Sequence, residues 1–122
     1  MKTCELTGAA LNWAVAKCEA GDGLNVRIAN GQLYVVGDSE IGNHLDLDGD
    51  NWQPSGNWAQ GGPIIERERI SVGTHEDYWS ADITAGETGF IQGHGPTPLI
   101  AAMRCYVASK LGEEVEIPEK LQ

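Results

Sequence analysis

Two tryptophans, several amide or hydroxyl side chains and a bare Gly-Gly pair are concentrated in Trp52-Gln53-Pro54-Ser55-Gly56-Asn57-Trp58-Ala59-Gln60-Gly61-Gly62-Pro63. That mixture suits a planar ligand. An indole face stacks on a ring, side-chain amides read its edge, and glycine lets main-chain N–H groups come close. The candidate contacts are Trp52, Ser55, Asn57, Trp58, Gln60, Gly61 and Gly62, with Trp52 or Trp79 as the opposite wall. Trp52 and Trp58 would equally serve as core anchors of an irregular segment, and the residue pattern leaves both readings open. A second segment, Gly93-His94-Gly95-Pro96-Thr97-Pro98, leads into a helix. It brings His94, the Thr97 hydroxyl and free N–H groups to the positive end of a helix dipole, where an anion binds. N-capping by Thr97 accounts for the same residues without a ligand.

An anion approaching this chain meets 18 Asp and Glu against eight Lys and Arg, a formal charge of −10. It needs local positive potential, and Arg67, Arg69 and Arg104 are the sources. Arg104 falls roughly 10 Å from the start of the last helix at about 1.5 Å rise per residue, so it serves a ligand on the helix flank better than one at the tip. Arg67 and Arg69 reach such a ligand from a neighbouring protomer if the chain self-associates. Pairing of all three with surface carboxylates is the alternative. Because the basic residues are otherwise scattered singly, general binding to a nucleic-acid backbone or an anionic membrane face is excluded.

Metal and covalent chemistry find little support. Asp46-Leu47-Asp48-Gly49-Asp50-Asn51 alternates three carboxylates as a calcium loop does, but its glycine stands fourth instead of sixth, and Asn57 at the twelfth position is not a bidentate carboxylate. His44, His75 and His94 lie in three different predicted loops without HxH or HxxxH spacing and read as surface histidines. Cys4, Cys18 and Cys105 have no CxxC spacing and read as buried free thiols of a reducing compartment. There is no nucleophile elbow and no phosphate-loop lysine. No catalytic residue, metal ligand or cofactor is therefore expected; a nucleotide-degrading reaction would have to run on His94 or His75 with a carboxylate such as Glu66. The N terminus has no apolar leader and no stretch approaches the ~20 apolar residues of a membrane span, so a soluble intracellular protein is expected.

The elements that must position these residues belong to one domain of 122 residues, 41% hydrophobic, with an acidic tail from about residue 113. Its 16 glycines are about twice the usual share, which implies many turns and close approaches. Thr7 caps a helix running to Cys18, with Leu11, Val15 and Cys18 on one stripe and Gly21 as the stop. Leu24 to Ile28 and Leu33 to Val36 alternate about Asn30-Gly31, a hairpin signature. Residues 37 to 57 read as a long loop with a short irregular strand near His44 to Leu47. Asn57 and Gln60 have capping-box spacing, but Pro63 argues for a tight turn over Trp58 to Gly62 and a short helix from Pro63 through Glu68. Ile70 to Val72 and Tyr78 to Ile83 form a second strand pair, followed by a glycine-rich loop over Gly86 to Gly95. Thr97 caps the clearest helix, Pro98 opens it, Ile100, Met103, Val107 and Leu111 share one face, Gly112 ends it, and a loosely held tail follows. The order α-β-β-α-β-β-α predicts an α+β fold, an antiparallel sheet of at least four strands with the helices on one face.

Three stretches, Glu5-Leu6-Thr7-Gly8-Ala9-Ala10-Leu11-Asn12-Trp13-Ala14-Val15-Ala16, Pro54-Ser55 with Asn57-Trp58-Ala59-Gln60-Gly61-Gly62-Pro63-Ile64-Ile65-Glu66, and Gly95-Pro96-Thr97-Pro98-Leu99-Ile100-Ala101-Ala102-Met103-Arg104, together resemble the NinX-like proteins of temperate phages and prophages. Asn57 stands where that pattern has an Asp at the cap. The resemblance implies a phage accessory protein in the host cytoplasm and assigns it no reaction. Stacking aromatics and glycine-rich anion sites without catalytic groups point to a non-enzymatic homo-oligomer that sequesters a small nucleotide-like ligand, a host immune signal by analogy with other phage strategies. The alternative is a protein–protein inhibitor or adaptor whose acidic surface steers it to a basic host protein.

Overall fold

The computed structural model describes residues 2–20, 25–29, 32–36, 45–46, 53–84 and 89–117. A 3₁₀ turn at Thr3–Glu5 precedes α1 (Gly8–Ala20), β1 (Asn25–Ala29), β2 (Gln32–Val36), β3 (Leu45–Asp46), α2 (Trp58–Glu68), β4 (Ser71–Thr74), β5 (Trp79–Thr84), β6 (Phe90–Gly95) and α3 (Pro98–Leu111). The class is α+β, as the pattern predicts. Among the described residues the strands form two three-stranded antiparallel sheets, β1-β2-β3 and β4-β5-β6, in place of one sheet of four or more. Ala29 pairs with Gln32, which leaves two residues between β1 and β2 as the Asn30-Gly31 dipeptide requires. The acidic loop at 47–51 and His44 lie outside the described residues.

Two elements depart from the sequence expectation for physical reasons. Gly93 and Gly95 read as loop residues, yet they sit in β6, paired with Ala81 and Trp79. Both are buried beneath α3. A β-carbon on Gly93 would stand 2.6 Å from the Ala101 carbonyl oxygen and the Cys105 nitrogen, so glycine here lets a helix lie directly on the strand. The second departure is α2, which starts at Trp58 and passes through Pro63. Asn57 Oδ1 accepts from the Ala59 N–H at 2.8 Å, so the cap at Asn57 is made despite Pro63. Only the Ala59 carbonyl is deprived of its donor by Pro63, and Gly62, lacking a β-carbon, removes much of the pre-proline clash.

α3 is the centre of the molecule. Leu99, Ala101, Ala102, Met103, Cys105, Tyr106 and Val107 are all buried, so it has no polar stripe of the kind a surface helix shows. It packs on β4, β5 and β6, and also on α1 and α2. α3 lies directly on the strands, whereas α1 packs chiefly on α3. In α1 the residues from Ala10 to Ala16 are each buried, a wider surface than the Leu11, Val15 and Cys18 stripe. Gly112 ends α3 with φ +89°, and its N–H bonds to the Ala108 carbonyl at 3.0 Å. The following residues are not loose over 113–117: Thr3 N–H donates to the Glu113 carbonyl at 2.8 Å, the Lys2 and Glu114 main chains form an isolated antiparallel β-bridge, and Val115 and Ile117 are buried in the core.

Candidate functional site

Docking of the chain's first residues against the segment after α3 creates a cleft of about 350 Å³. Lys2, Thr3 and Cys4 contribute from the N-terminal segment, Gln92, Gly93 and His94 from β6, Arg104 and Ala108 from α3, and Glu113 and Glu114 from the segment after it. The Thr3 hydroxyl donates to the Gly112 carbonyl at 2.7 Å and fixes one part of the rim. Arg104 is half-buried here. Its Nε donates to the Leu6 carbonyl at 2.9 Å and its Nη1 to the His94 carbonyl at 2.8 Å. Burial lowers the pKa of its guanidinium, with the neighbouring Cys4 thiol acting in the opposite sense. Arginine remains cationic at neutral pH even so.

Arg104 has no carboxylate within ion-pair distance among the described residues, where the ion pairs are Arg67 with Glu19 and Glu68, and Lys110 with Glu68. A guanidinium has five N–H donors, and two are used by carbonyls here. Glu113 and Glu114 border the cleft without pairing to Arg104, so its potential is mixed. His94 also meets an aromatic neighbour. Its ring stands edge-on to Tyr78, 5.4 Å between centroids.

Of the residues singled out by sequence, His94 and Arg104 meet at this cleft. The others are dispersed. Ser55 is fastened to α1, its N–H and hydroxyl both donating to Asn12 Oδ1 at 3.1 and 2.7 Å. Gln60 Oε1 accepts from the Gln53 N–H at 2.5 Å, and Asn57 caps α2. Gly61 is buried where a β-carbon would collide with the Pro54 carbonyl and Leu99, while a β-carbon on Gly62 would make ordinary contact with the Trp58 ring at 3.9 Å. Trp58 is 57% exposed. Trp79 is half-buried against the core, and Trp52 lies outside the described residues. Thr97 Oγ1 accepts from the Ile100 N–H at 3.1 Å, capping α3.

Arg67 and Arg69 differ although only two residues apart. Arg67 donates to both Glu19 oxygens at 3.0 and 2.7 Å, to Glu68 at 2.9 Å and to the Tyr106 hydroxyl at 3.2 Å, tying α1, α2 and α3 together. Burial would raise the Glu19 carboxyl, but hydrogen bonds from Arg67 and Tyr106 outweigh it and hold its pKa below the ordinary carboxylate value. Arg69 is exposed, in the left-handed conformation with φ 55°, and ends α2. The thiols differ too. Burial pushes those of Cys18 and Cys105 up to about 12, whereas Cys4 is exposed in contrast to the buried position expected for it.

Lys2, Thr3 and Gln92 are cleft residues that the sequence did not single out. No periodic signal marks them, because they come together through the Thr3 to Glu113 main-chain bond and the edge of β6. Among the described residues no group of three or more histidine, cysteine or carboxylate side chains is placed to hold a metal ion. No described helix is long and apolar enough to cross a membrane. No curated protein matches the chain. A family model described as bacteriophage P22, NinX matches residues 2–110, nearly the whole length, and the chain therefore belongs to that family.

Proposed function

We propose that this phage-family protein is a non-catalytic accessory binding protein that captures a small nucleotide-like anion in the Arg104 cleft and, in the host cytoplasm, sequesters a host signalling molecule. One observation carries the reading. Arg104 is a half-buried cation held by two main-chain carbonyls and unpaired with any described carboxylate, in a chain of net charge −10. Removing a charge from water is costly unless it is paired. Carbonyl oxygens orient the guanidinium and leave its charge uncompensated, and a phosphate completes the pair through charge-assisted hydrogen bonds. Lys2 adds a second cation, while Glu113 and Glu114 disfavour a ligand with charge spread over many groups.

The test is calorimetric titration of wild type and Arg104→Ala with adenosine 5′-monophosphate, cyclic dinucleotides and ADP-ribose, with thermal melts to verify folding. Loss of the contact should weaken binding by about 1.5–3 kcal/mol, roughly 10- to 150-fold. Self-association is part of the reading, and a monomeric mass by light scattering would remove it. A specific observation favours the adaptor as second reading, namely the exposure of Trp58 at 57% and Phe90 at 63%. Failure of wild type to bind any phosphorylated ligand, alongside capture of a host protein, would transfer the assignment to it.

A further inference from the structure

Of the two edges of the β4-β5-β6 sheet, one is occupied and one is bare. At β6 the His94 carbonyl accepts from Arg104 at 2.8 Å, and Thr3 and Cys4 stand beside Gln92, Gly93 and His94 in the cleft. Among the described residues β4 pairs with β5 alone. The His75 N–H donates to the Tyr78 carbonyl at 2.9 Å, and in an antiparallel ladder hydrogen-bonded pairs alternate with unbonded ones. Ser71 and Gly73 therefore turn their main-chain groups to Asp82 and Ser80 of β5, while Val72 and Thr74 turn theirs outward. Edge strands are usually blunted by charge, proline or a bulge. Ser71-Val72-Gly73-Thr74 has no charge, no proline and an unbroken register, and Ser71, Gly73 and Thr74 are exposed. Charge stands only at its ends. Arg69 precedes the strand and Asp77 follows it, both exposed and neither in an ion pair among the described residues.

We infer that the β4 edge is an interface between two copies of this chain, paired antiparallel about a two-fold axis at Gly73 into one six-stranded sheet. The register follows from the groups available. With the axis at Gly73, the outward N–H and carbonyl of Val72 meet those of the partner's Thr74, and the symmetric pair repeats the exchange. Gly73 meets the partner's Gly73 in the unbonded pair, where Cα atoms approach to about 4.5 Å and no side chains collide. An axis at Val72 would instead need the Ile70 N–H, which is spent on the Ile65 carbonyl at 3.0 Å. Counted two residues past Ser71 and His75, Arg69 comes to the partner's Asp77, and the axis repeats the pair. Two chains of −10 repel at long range, so this local complementarity is what lets the edges meet. The inference rests on the self-association in the proposed function and names its surface. Anion capture is separate, because the Arg104 cleft lies at the far edge of the sheet.

Sedimentation equilibrium of the full chain over a range of protein concentrations tests the interface, with thermal melts to verify folding. Wild type should reach a dimer. Thr74→Pro removes one outward N–H from each copy and should weaken the dimer by about 5- to 150-fold. Arg69→Asp and Asp77→Arg should each weaken it roughly 10-fold, and the two together should restore it. Asp77→Arg makes the chain less negative, so its weakening would separate a local pair from general repulsion. The charge exchange also guards against a variant that merely fails to fold. A wild-type dimer that none of these variants weakens, or a double variant no tighter than the singles, overturns this interface while self-association stands. A wild type that stays monomeric at every concentration overturns the interface and the self-association together, and leaves the anion site to its own titration.

Discussion

Gly93 and Gly89 are the same residue type a few positions apart, and their surroundings make opposite demands. A methyl group at Gly93 would lie 2.6 Å from two backbone atoms of α3, whereas at Gly89 nothing lies within 4 Å. The α3 backbone cannot yield as the end of a flexible side chain would. Gly93→Ala should therefore destabilise the protein by about 1–3 kcal/mol, the usual range for overpacking, with Gly89→Ala staying within about 0.5 kcal/mol of wild type. Urea denaturation of the two variants checks this, and equal stabilities would mean that α3 can move off the strand. The contrast also shows what can be read at this scale from residue types. Glycine abundance announces close approaches without saying which glycine makes one. Ser55 was likewise legible as a polar contact, but its partner Asn12 is 43 residues away and follows no local spacing.

At the scale of elements, α3 follows from the Thr97 cap with Pro98 behind it and the β1–β2 hairpin from the Asn30-Gly31 signal, while α1 stands where the sequence put a helix but buries more than its stripe. β6 and the first turn of α2 do not follow in this way. In both, local signals are outweighed by tertiary packing: Ile91, Gly93 and Gly95 in β6 face α3, and Gly61 fits between Pro54 and Leu99. The helix through Pro63 thus survives although Pro63 offers the Ala59 carbonyl, near the exposed start of α2, no N–H. Replacing the proline returns an N–H to that carbonyl and removes the ring's clash with it. Pro63→Ala should raise stability by about 1–3 kcal/mol, short of or equal to the full interior penalty because the position is only in the second turn. Thermal denaturation is the measurement; a lowered midpoint would show that the pyrrolidine ring makes contacts worth more than the hydrogen bond.

For the whole molecule, the charge balance was legible and the assignment of partners was not, since which arginine meets a carboxylate is decided by how three helices come together. Arg67 takes Glu19 from α1 and Glu68 within α2, while Lys110 from α3 meets Glu68 at 3.6 Å. Arg104, on the flank of α3, meets carbonyls instead. The Glu19 contribution should be visible as a pH dependence. Its folded pKa lies below the ordinary carboxylate value, so the folded protein releases this proton more readily than the unfolded chain does. The resulting stability is present above the unfolded pKa of about 4.3 and is lost as pH falls through the folded value. Below the isoelectric point near 4.5 the chain becomes positive, and its growing self-repulsion also destabilises the fold in the window where Glu19 titrates, so wild type alone would not isolate the Glu19 contribution. The difference between wild type and Glu19→Gln removes that common background. Because Arg67 is half exposed, screening keeps the pair at about 1 kcal/mol. Denaturation from pH 7 to pH 2.5 should show the wild type more stable by that amount at neutral pH, with the gap closing as Glu19 gains its proton and comes to resemble glutamine. A gap that stays constant down to the lowest pH would mean that packing around Glu19, not its charge, joins the three helices.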